Sequence, residues 1–438
     1  MRHFAALSLS APLLWALGVS VGHAQDVDVA LPDSGLFARD QNVTVLERQN
    51  SEYSFVPTHI GGFLIDPSIT SEFDYNSNIY AAGSGPGGNS SASGVAADEI
   101  WQIDPALVVE SDWGRNYLSL TLSGEHTSYL HYSSQDTSSV TVSSLARWDV
   151  FHDFGLAGGF DLAHETEART AINSPAAAVK PITYDYANGF IDTVKQDDRI
   201  KLALRADLQD YAYQNGTAAN GATLYQRDQD YTEVTVNGRA EYAYDATAAF
   251  FLAGSGDQQY YRNPLPGERQ RDSTGYTGEA GANLNLTDLL KGQFGLGYIA
   301  QHYRYALYPN ISGLDASANL TYLMTTLFNV TLTASRSVQN SVIPEVGGYL
   351  ASTVGGEIDY ELLRNFRIIG TLGYENDAFR DYGRTDGRVS AGLQATWMLN
   401  RALWTRLGYT YYKVDSSGTE RIPDYAISDV QATVIYNF

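Results

Sequence analysis

The segment Ile200-Lys201-Leu202-Ala203-Leu204-Arg205-Ala206-Asp207-Leu208-Gln209 alternates apolar and polar residues. Its even-numbered residues are all apolar, whereas its odd-numbered residues are polar or charged except for Ala203. A period of two is that of a β-strand, in which neighbouring side chains point to opposite faces. Soluble sandwiches and membrane barrels both contain such strands, so this segment establishes a strand and not yet the fold.

The same alternation recurs along most of the chain after residue 62, for example over residues 118–123 and 389–400. Short turns and longer polar segments separate the strands in strict alternation. The short turns are predicted at residues 112–116, 151–154, 196–199, 244–247, 287–292, 325–328, 363–366 and 399–402. The longer segments are predicted at residues 81–97, 132–138, 167–181, 214–226, 262–270, 306–314, 340–347, 380–387 and 415–423.

These eight turns and nine loops join eighteen strands, with sixteen strands as the alternative. Tight turns at one end and longer loops at the other are typical of outer-membrane barrels. Most segments between them exceed the ~10 residues needed to cross the hydrocarbon layer. We therefore expect an all-β, antiparallel, up-and-down transmembrane barrel over residues 59–438.

The N-terminus has the pattern of a secretory signal peptide over residues 1–24. Beyond it, no run approaches the ~18 apolar residues of a membrane-spanning helix. Residues 25–58 are acidic and irregular, which predicts a weakly ordered periplasmic extension, too small for the plug of a large transporter. The chain contains no cysteine, which fits an exported protein.

The last strand is amphipathic, and the chain ends on it. Its apolar face includes Val434, Tyr436 and Phe438. A final strand that ends in an aromatic residue resembles the signal read by the outer-membrane barrel assembly machinery, which we expect as a partner. Tyrosines near strand ends are predicted to form an aromatic girdle at the lipid headgroups: Tyr211, Tyr213, Tyr242, Tyr244, Tyr260, Tyr261, Tyr303, Tyr305, Tyr409, Tyr411 and Tyr412.

The chain has a formal net charge of -22. This excess of negative charge argues against nucleic acid as a partner. The simplest interpretation is a solvated surface. The functional alternatives are divalent cations that bridge the protein to lipopolysaccharide, and a preference for cations in a pore.

A barrel with its apolar face toward lipid must point many charged residues inward. Burying so many charges in a dry core would cost several kcal/mol each, so we expect water in the lumen. Ion selectivity and a salt-bridged wall that merely stiffens the barrel remain open alternatives. A cluster at 357–361 is predicted to favour cations. The predicted lumen-lining residues are Arg147, Asp149, Lys201, Arg205, Asp207, Glu233, Asn237, Arg239, Glu241, Glu357, Asp359 and Glu361.

Motifs for enzymatic or metal chemistry are incomplete. His164-Glu165-Thr166-Glu167-Ala168 begins like a zinc-protease motif, but alanine stands where the second histidine ligand is required. We therefore expect no metal and no cofactor. A hydrolase site at the outer rim stays an alternative, and its candidate residues are His126, Ser128, His131 and Asp136.

Several segments resemble a known family. Residues 61–69, read Gly-Gly-Phe-Leu-Ile-Asp-Pro-Ser-Ile, are followed by Phe73-Asp74-Tyr75-Asn76-Ser77-Asn78-Ile79-Tyr80. Together with Val45-Leu46-Glu47-Arg48 and Ser111-Asp112-Trp113-Gly114-Arg115-Asn116, they resemble the family called putative β-barrel porin 2. This resemblance implies an outer-membrane barrel, and some members lie in exopolysaccharide systems, which adds polysaccharide export components as possible partners.

The predicted function is a passive channel in the outer membrane of a Gram-negative bacterium, without an enzymatic step. Its cargo would be polysaccharide or small hydrophilic solutes. The alternatives are an outer-membrane hydrolase and a structural or adhesive barrel with a blocked lumen.

Overall fold

A computed structural model describes residues 36–37, 44–46, 48, 52–83, 94–265 and 269–438. The predicted signal peptide, residues 1–24, lies outside this set. Within it, no helix is both long enough and apolar enough to span a bilayer.

Eighteen long strands form the wall, and each pairs antiparallel with the next one in sequence. Strand β18 pairs with β1 from Asn76–Asp429 to Ser68–Asn437, which closes the barrel. The strands are β1 Phe63–Asn76, β2 Asp98–Ser111, β3 Tyr117–Tyr129, β4 Thr137–Phe151, β5 Phe154–Thr166, β6 Thr183–Gln196, β7 Ile200–Tyr213, β8 Tyr231–Ala243, β9 Ala248–Tyr261, β10 Ser273–Thr287, β11 Leu290–Tyr303, β12 Ile311–Thr325, β13 Phe328–Asn340, β14 Gly348–Leu363, β15 Phe366–Phe379, β16 Arg384–Met398, β17 Leu403–Gly418 and β18 Tyr425–Asn437.

The predicted count of eighteen strands is confirmed, and the alternative of sixteen is wrong. The predicted short turns all lie at one end, here called periplasmic, and the long loops at the other, external end. The pairing of β18 with β1 removes the free edges that the first and last strands would otherwise leave in hydrocarbon. The last residue takes part, because the Phe438 N–H donates to the Pro67 carbonyl at 3.0 Å.

The barrel is apolar outside and polar inside. Leu252, Leu372 and Leu407 are each more than 60% exposed on the outer face, whereas Asp207 and Asp377 are at most 2% exposed on the inner face. This inversion of a soluble core is what a lipid environment selects. The predicted assembly residues Val434, Tyr436 and Phe438 also face outward.

The longest break in the wall, among the described strands, lies between β12 and β13. Their pairing runs from the periplasmic end and stops at Ala318–Ala334. Residues 311–317 of β12 remain paired with β11, and residues 335–340 of β13 remain paired with β14. The external half of the β13–β14 hairpin therefore separates from β12.

Candidate functional site: the lumen and its external mouth

The inner face of the barrel carries the side chains that were predicted to line the lumen. On β7, Lys201 and Asp207 are buried inside, while Leu202 and Leu204 are exposed on the outer face. Directly paired residues share a face, so the register extends this assignment to the other strands. The structure places all the predicted residues inside: Arg147, Asp149, Lys201, Arg205, Asp207, Glu233, Asn237, Arg239, Glu241, Glu357, Asp359 and Glu361.

Ion pairs between arginines and carboxylates recur on the inner face of β6–β17, here called the paired wall. Arg205 Nη2 lies 2.9 Å from Asp207 Oδ1. Two residues apart on a strand, the two side chains point to one face and meet without leaving it. Similar pairs join Arg239 with Glu241, Arg384 with Asp386, and Arg388 with Asp377. These pairs cancel most of the charge that they carry.

Aromatic rings support three of these arginines, and the Arg384 guanidinium lies 4.7 Å from the centroid of the Phe379 ring. The Arg205 guanidinium lies 4.0 Å from the centroid of the Phe190 ring, and that of Arg239 lies 3.8 Å from Phe251. A cation over a ring face is attracted to it electrostatically. Each arginine is therefore held in a fixed orientation between a carboxylate and a ring.

The inner face of β18 and β1–β5, here called the acidic wall, is different. Its carboxylates accept hydrogen bonds from neutral groups, such as Thr433 Oγ1 to Glu72 at 2.7 Å and Thr141 Oγ1 to Glu165 at 3.0 Å. Among the described residues, no lysine or arginine forms an ion pair with them. The acidic wall comprises Asp66, Glu72, Asp74, Asp104, Glu110, Glu125, Asp149, Asp161, Glu165 and Asp429.

Two carboxylates meet where the barrel closes. Asp74 on β1 and Asp429 on β18 are neighbours, and the Oδ1 atom of each is buried without a hydrogen-bond donor in the described part of the chain. The Asn76 amide nitrogen reaches Asp429 Oδ2 at 3.5 Å. Adjacent carboxylates repel unless a proton or a cation lies between them. A proton or a cation bound between Asp74 and Asp429 would therefore stabilise this part of the acidic wall.

The acidic cluster at 357–361 lies near the periplasmic end and is already engaged. Asp359 accepts a hydrogen bond from Asn329 Nδ2 at 2.6 Å, and Glu361 forms an ion pair with Arg48. The Val45 N–H also donates to Asn329 Oδ1 at 2.9 Å. The expected periplasmic extension thus reaches the inner wall at these residues and neutralises part of the cluster.

External loops meet across the mouth of the barrel. The Asn173 side chain, on loop 167–182, accepts a hydrogen bond from the Val342 N–H at 3.2 Å and donates to the Asn340 carbonyl at 3.5 Å. Loop 167–182 follows β5, and loop 341–347 follows β13, eight strands further around an eighteen-stranded wall. The contact therefore spans most of the lumen.

Arg271 joins three further segments. Its Nη2 donates to the Asp228 carbonyl at 2.7 Å, and its Nη1 donates to the Ser341 carbonyl. The guanidinium also lies 4.9 Å from the centroid of the Tyr261 ring. Loops 214–230, 262–272 and 341–347 are therefore linked through one buried arginine.

Glu167 and Arg169 anchor the start of loop 167–182. Burial raises the pKa of Glu167 to about 7, and the nearby Arg169 opposes this shift. Burial also lowers the pKa of Arg169, whose Nη2 donates to Gln135 Oε1 at 2.7 Å. The seated loop thus favours the neutral form of Glu167.

The prediction that all these tyrosines form a girdle on the outer face is partly wrong. Tyr242, Tyr244 and Tyr260 face outward as expected. Others face inward and stack, with 4.7 Å between the ring centroids of Tyr211 and Tyr231 and 5.2 Å between those of Tyr231 and Tyr261. These spacings match the distance between neighbouring strands, so cross-strand pairing produces the stack. The inward tyrosines of the predicted set are Tyr211, Tyr213, Tyr261, Tyr303 and Tyr412.

The candidate hydrolase residues do not converge. His126 lies on the outer face of β3 and contacts the hydroxyls of Ser128 and Ser138 at 3.1 and 2.9 Å. His131 instead contacts Asp98, and Asp136 accepts the Tyr129 N–H at 2.8 Å. The set is thus divided between two places: His126 contacts serine hydroxyls on the outer face, and no acidic residue of the set contacts His126 in the described part of the chain.

One group in the described residues has the spacing of metal ligands, namely Asp98, Glu99 and His131. Asp98 already accepts hydrogen bonds from the backbone N–H groups of Glu99 and Tyr132, at 2.9 and 3.0 Å. The His131 ring nitrogen lies 2.8 Å from the same carboxylate. These contacts hold loop 130–136 against the start of β2, which accounts for the group without a metal.

Residues 52–438 match the model of the protein family described as putative beta-barrel porin 2. The chain belongs to this family. The resemblance inferred from the first strands is thereby confirmed and extends over the whole barrel. No curated protein matches the chain in sequence.

Solved structures with a related architecture include the siderophore receptor PirA from Pseudomonas aeruginosa, at 10% identity and TM-score 0.46, covering 87% of this chain and 81% of that one. The outer membrane protein opdK from the same organism has 11% identity and TM-score 0.45, covering 85% and 98%. PirA from Acinetobacter baumannii has 8% identity and TM-score 0.45, covering 85% and 80%. Similarity at this level says nothing about cargo. The family and the closed barrel identify a porin-like outer-membrane channel protein.

Proposed function

We propose that this family member is a passive channel through which small hydrophilic solutes, and cations in particular, cross the outer membrane of a Gram-negative bacterium. The acidic wall is the observation that carries the proposal. Its carboxylates, including Glu72, Asp104 and Glu125, lie close enough to repel one another and have neutral hydrogen-bond donors. Such a surface attracts mobile cations from solution.

The ion pairs of the paired wall add little net field to the lumen. An arginine and a carboxylate in contact cancel each other at distances longer than their separation. The paired wall also carries carboxylates that accept hydrogen bonds only from neutral groups, such as Glu233 and Asp257, so these residues and the acidic wall together set the potential along the lumen. Cations passing along that wall would replace the partners that the chain itself does not supply.

The external mouth favours small solutes over a polymer. Loop 167–182 contacts loop 341–347 through Asn173, and Arg271 ties loop 341–347 to two others. A polysaccharide strand could pass only if these loops left their positions. Small solutes need only the space that remains beside the loops.

Reversal potentials in planar bilayers test the cation preference. Under a KCl gradient we expect the wild-type channel to prefer potassium at low salt. The triple variant Glu72→Gln, Asp104→Asn, Glu125→Gln should bring the K⁺/Cl⁻ permeability ratio close to one. The difference should shrink as the screening length falls from about 10 Å at 0.1 M to about 3 Å at 1 M.

The matched control removes three charges from exposed loops: Asp198→Asn, Asp381→Asn and Glu420→Gln. This variant should keep the wild-type ratio. Equal ratios in the wild type and the acidic-wall variant would overturn the proposed selectivity. A wild-type barrel that never conducts would overturn the channel itself and favour a barrel with a blocked lumen.

Solute size separates the two cargo classes. Proteoliposomes that contain the protein should swell in small sugars and progressively less in longer oligosaccharides. Equal uptake of long and short oligosaccharides would contradict the proposal and favour polysaccharide export.

A further inference from the structure

The external half of the β13–β14 hairpin, residues 335–352, does not form part of the barrel wall. It lies on the lumen side of the wall. Leu350 belongs by alternation to the outward face of β14, yet it is 9% exposed and packs in a cluster with Tyr303 and Ile311. Val338, which pairs with Leu350, packs against the same cluster. Tyr303 and Ile311 face inward, so the outward face of the hairpin lies against the inward face of β11 and β12.

The glycines at the hairpin tip fit this position closely. A Cβ atom on Gly347 would overlap the Tyr303 ring, and one on Gly348 would overlap the Tyr303 hydroxyl. Beyond them, Ser341 is fully buried and its carbonyl accepts the Arg271 guanidinium. The tip is thus seated in the lumen by close packing as well as by hydrogen bonds.

The hairpin leaves one edge of β12 without a neighbouring strand. The backbone groups along this edge are only partly hydrogen-bonded. Arg336 Nη1 donates to the Leu314 carbonyl at 3.2 Å, so a side chain replaces one bond of the missing ladder. Backbone groups without partners are costly at membrane depth, which favours any rearrangement that pairs them. The existing register continues without a shift into such a pairing, with Ser317 opposite Ser335 and Leu314 opposite Val338.

We propose that this hairpin is a gate with two positions. In the seated position described above it narrows the external mouth through Asn173 and Arg271. In the second position residues 335–340 pair with residues 312–317, the hairpin joins the wall, and the mouth widens. Each position has hydrogen bonds that the other lacks, so modest changes in either set shift the populations. The inference rests on the proposed channel function.

Engineered cysteine pairs can trap each position, because the chain has no cysteine of its own. Leu314→Cys with Val338→Cys should form a disulfide only in the wall position, where paired Cα atoms lie about 4.5–5.5 Å apart. Asn173→Cys with Val342→Cys should trap the seated position. Maleimide labelling after denaturation counts the thiols that remain, and this readout does not depend on conductance.

Both disulfides should form under oxidation. In bilayers the 314–338 disulfide should raise conductance and the 173–342 disulfide should lower it, each reversed by reductant. If the 314–338 pair never cross-links while 173–342 does, the second position does not exist and the gate is refuted. Disulfides that form but leave a conducting channel unchanged refute it equally. Absence of conductance in the wild type would instead remove the channel function, while labelling still reports both positions.

A single substitution gives an independent test. Gly347→Ala should clash with Tyr303 only in the seated position and raise the ratio of wide to narrow states by about tenfold. The matched control is Gly189→Ala, where a Cβ meets nothing within 4 Å. Single-channel recordings should show more time at the higher level for Gly347→Ala alone. Identical dwell times in the two variants and the wild type would contradict the gate.

Discussion

The acidic wall and the paired wall are built from the same alternating strands, yet they treat buried charge in opposite ways. On the paired wall, carboxylates such as Asp207 and Asp377 lie beside an arginine. On the acidic wall, Glu72 and Glu165 accept hydrogen bonds from threonine hydroxyls and form no ion pair in the described part of the chain. The first arrangement satisfies itself within the protein, whereas the second depends on water and ions. One barrel thus combines twelve strands on which ion pairs recur with six strands whose carboxylates must interact with what passes.

The largest expected effect is on the stability of the paired wall. Asp207→Asn leaves the buried Arg205 without its counter-charge and should lower the free energy of unfolding by about 3 kcal/mol. Glu125→Gln on the acidic wall removes a charge that is repelled by its neighbours and should not destabilise the barrel. Urea titration of the folded barrel in detergent, followed by its mobility on gels, measures both. Equal losses would remove the distinction between the walls.

A second effect concerns selectivity at the 357–361 cluster. Replacing Glu357, Asp359 and Glu361 with Gln or Asn should reduce cation preference at low salt, but by less than the acidic-wall triple variant. Arg48 and Asn329 already engage two of these carboxylates, which limits their effect on passing ions. Reversal potentials of the two triple variants, side by side, give the comparison. A larger shift from the 357–361 variant would locate the selective region at the periplasmic end.

Substitution of Arg48 should change the cation preference by a smaller amount and in the opposite direction. Arg48→Ala removes the counter-charge of Glu361 and the hydrogen bond to the Thr326 carbonyl. Cation preference should rise slightly, because one more carboxylate becomes available to mobile ions. Arg401→Ala, on an exposed turn at the same end, serves as the control. A fall in cation preference after Arg48→Ala would mean that the segment does not neutralise the cluster.

The smallest expected effect depends on pH and on Glu167, which continues the acidic wall into an external loop. Burial raises the pKa of Glu167 to about 7, so its neutral form favours the seated loop. That stabilisation is complete at low pH and is lost as pH rises through the raised pKa. Conductance should therefore increase modestly between roughly pH 4.5 and pH 7. Glu167→Gln should flatten the profile at its low-pH level, whereas Asp198→Asn should not, and a profile unchanged by Glu167→Gln would exclude this residue.

Much of the fold and part of the site could be predicted from the sequence. Alternation and turn chemistry predicted the eighteen strands. Alternation alone indicated that Lys201, Arg205 and Asp207 all point inward. The paired wall has a local signal in the sequence, namely an arginine and a carboxylate two residues apart on one strand, as at 205–207. This spacing could have identified the wall. The same alternation places Tyr211 and Tyr213 on the face of Arg205 and Asp207, so the girdle prediction failed because it followed position near strand ends and not alternation.

The acidic wall and the gate could not be predicted in this way. Members of the acidic wall come from six strands, and each is an ordinary polar position of its own strand. The break between β12 and β13 depends on packing against Tyr303 and on the bond from Arg271, which belong to other elements. The contact of Arg48 with Glu361 joins residues 313 positions apart.

By itself the sequence determined which side chains of a strand share a face, because a two-residue period is a property of the local backbone. It also determined the number of strands, because turns are encoded by short stretches of chain. Only the tertiary structure decided which charges meet. That choice depends on the register between strands such as β1 and β18, where Thr433 reaches Glu72 across 361 residues of chain, and on how far external loops extend over water.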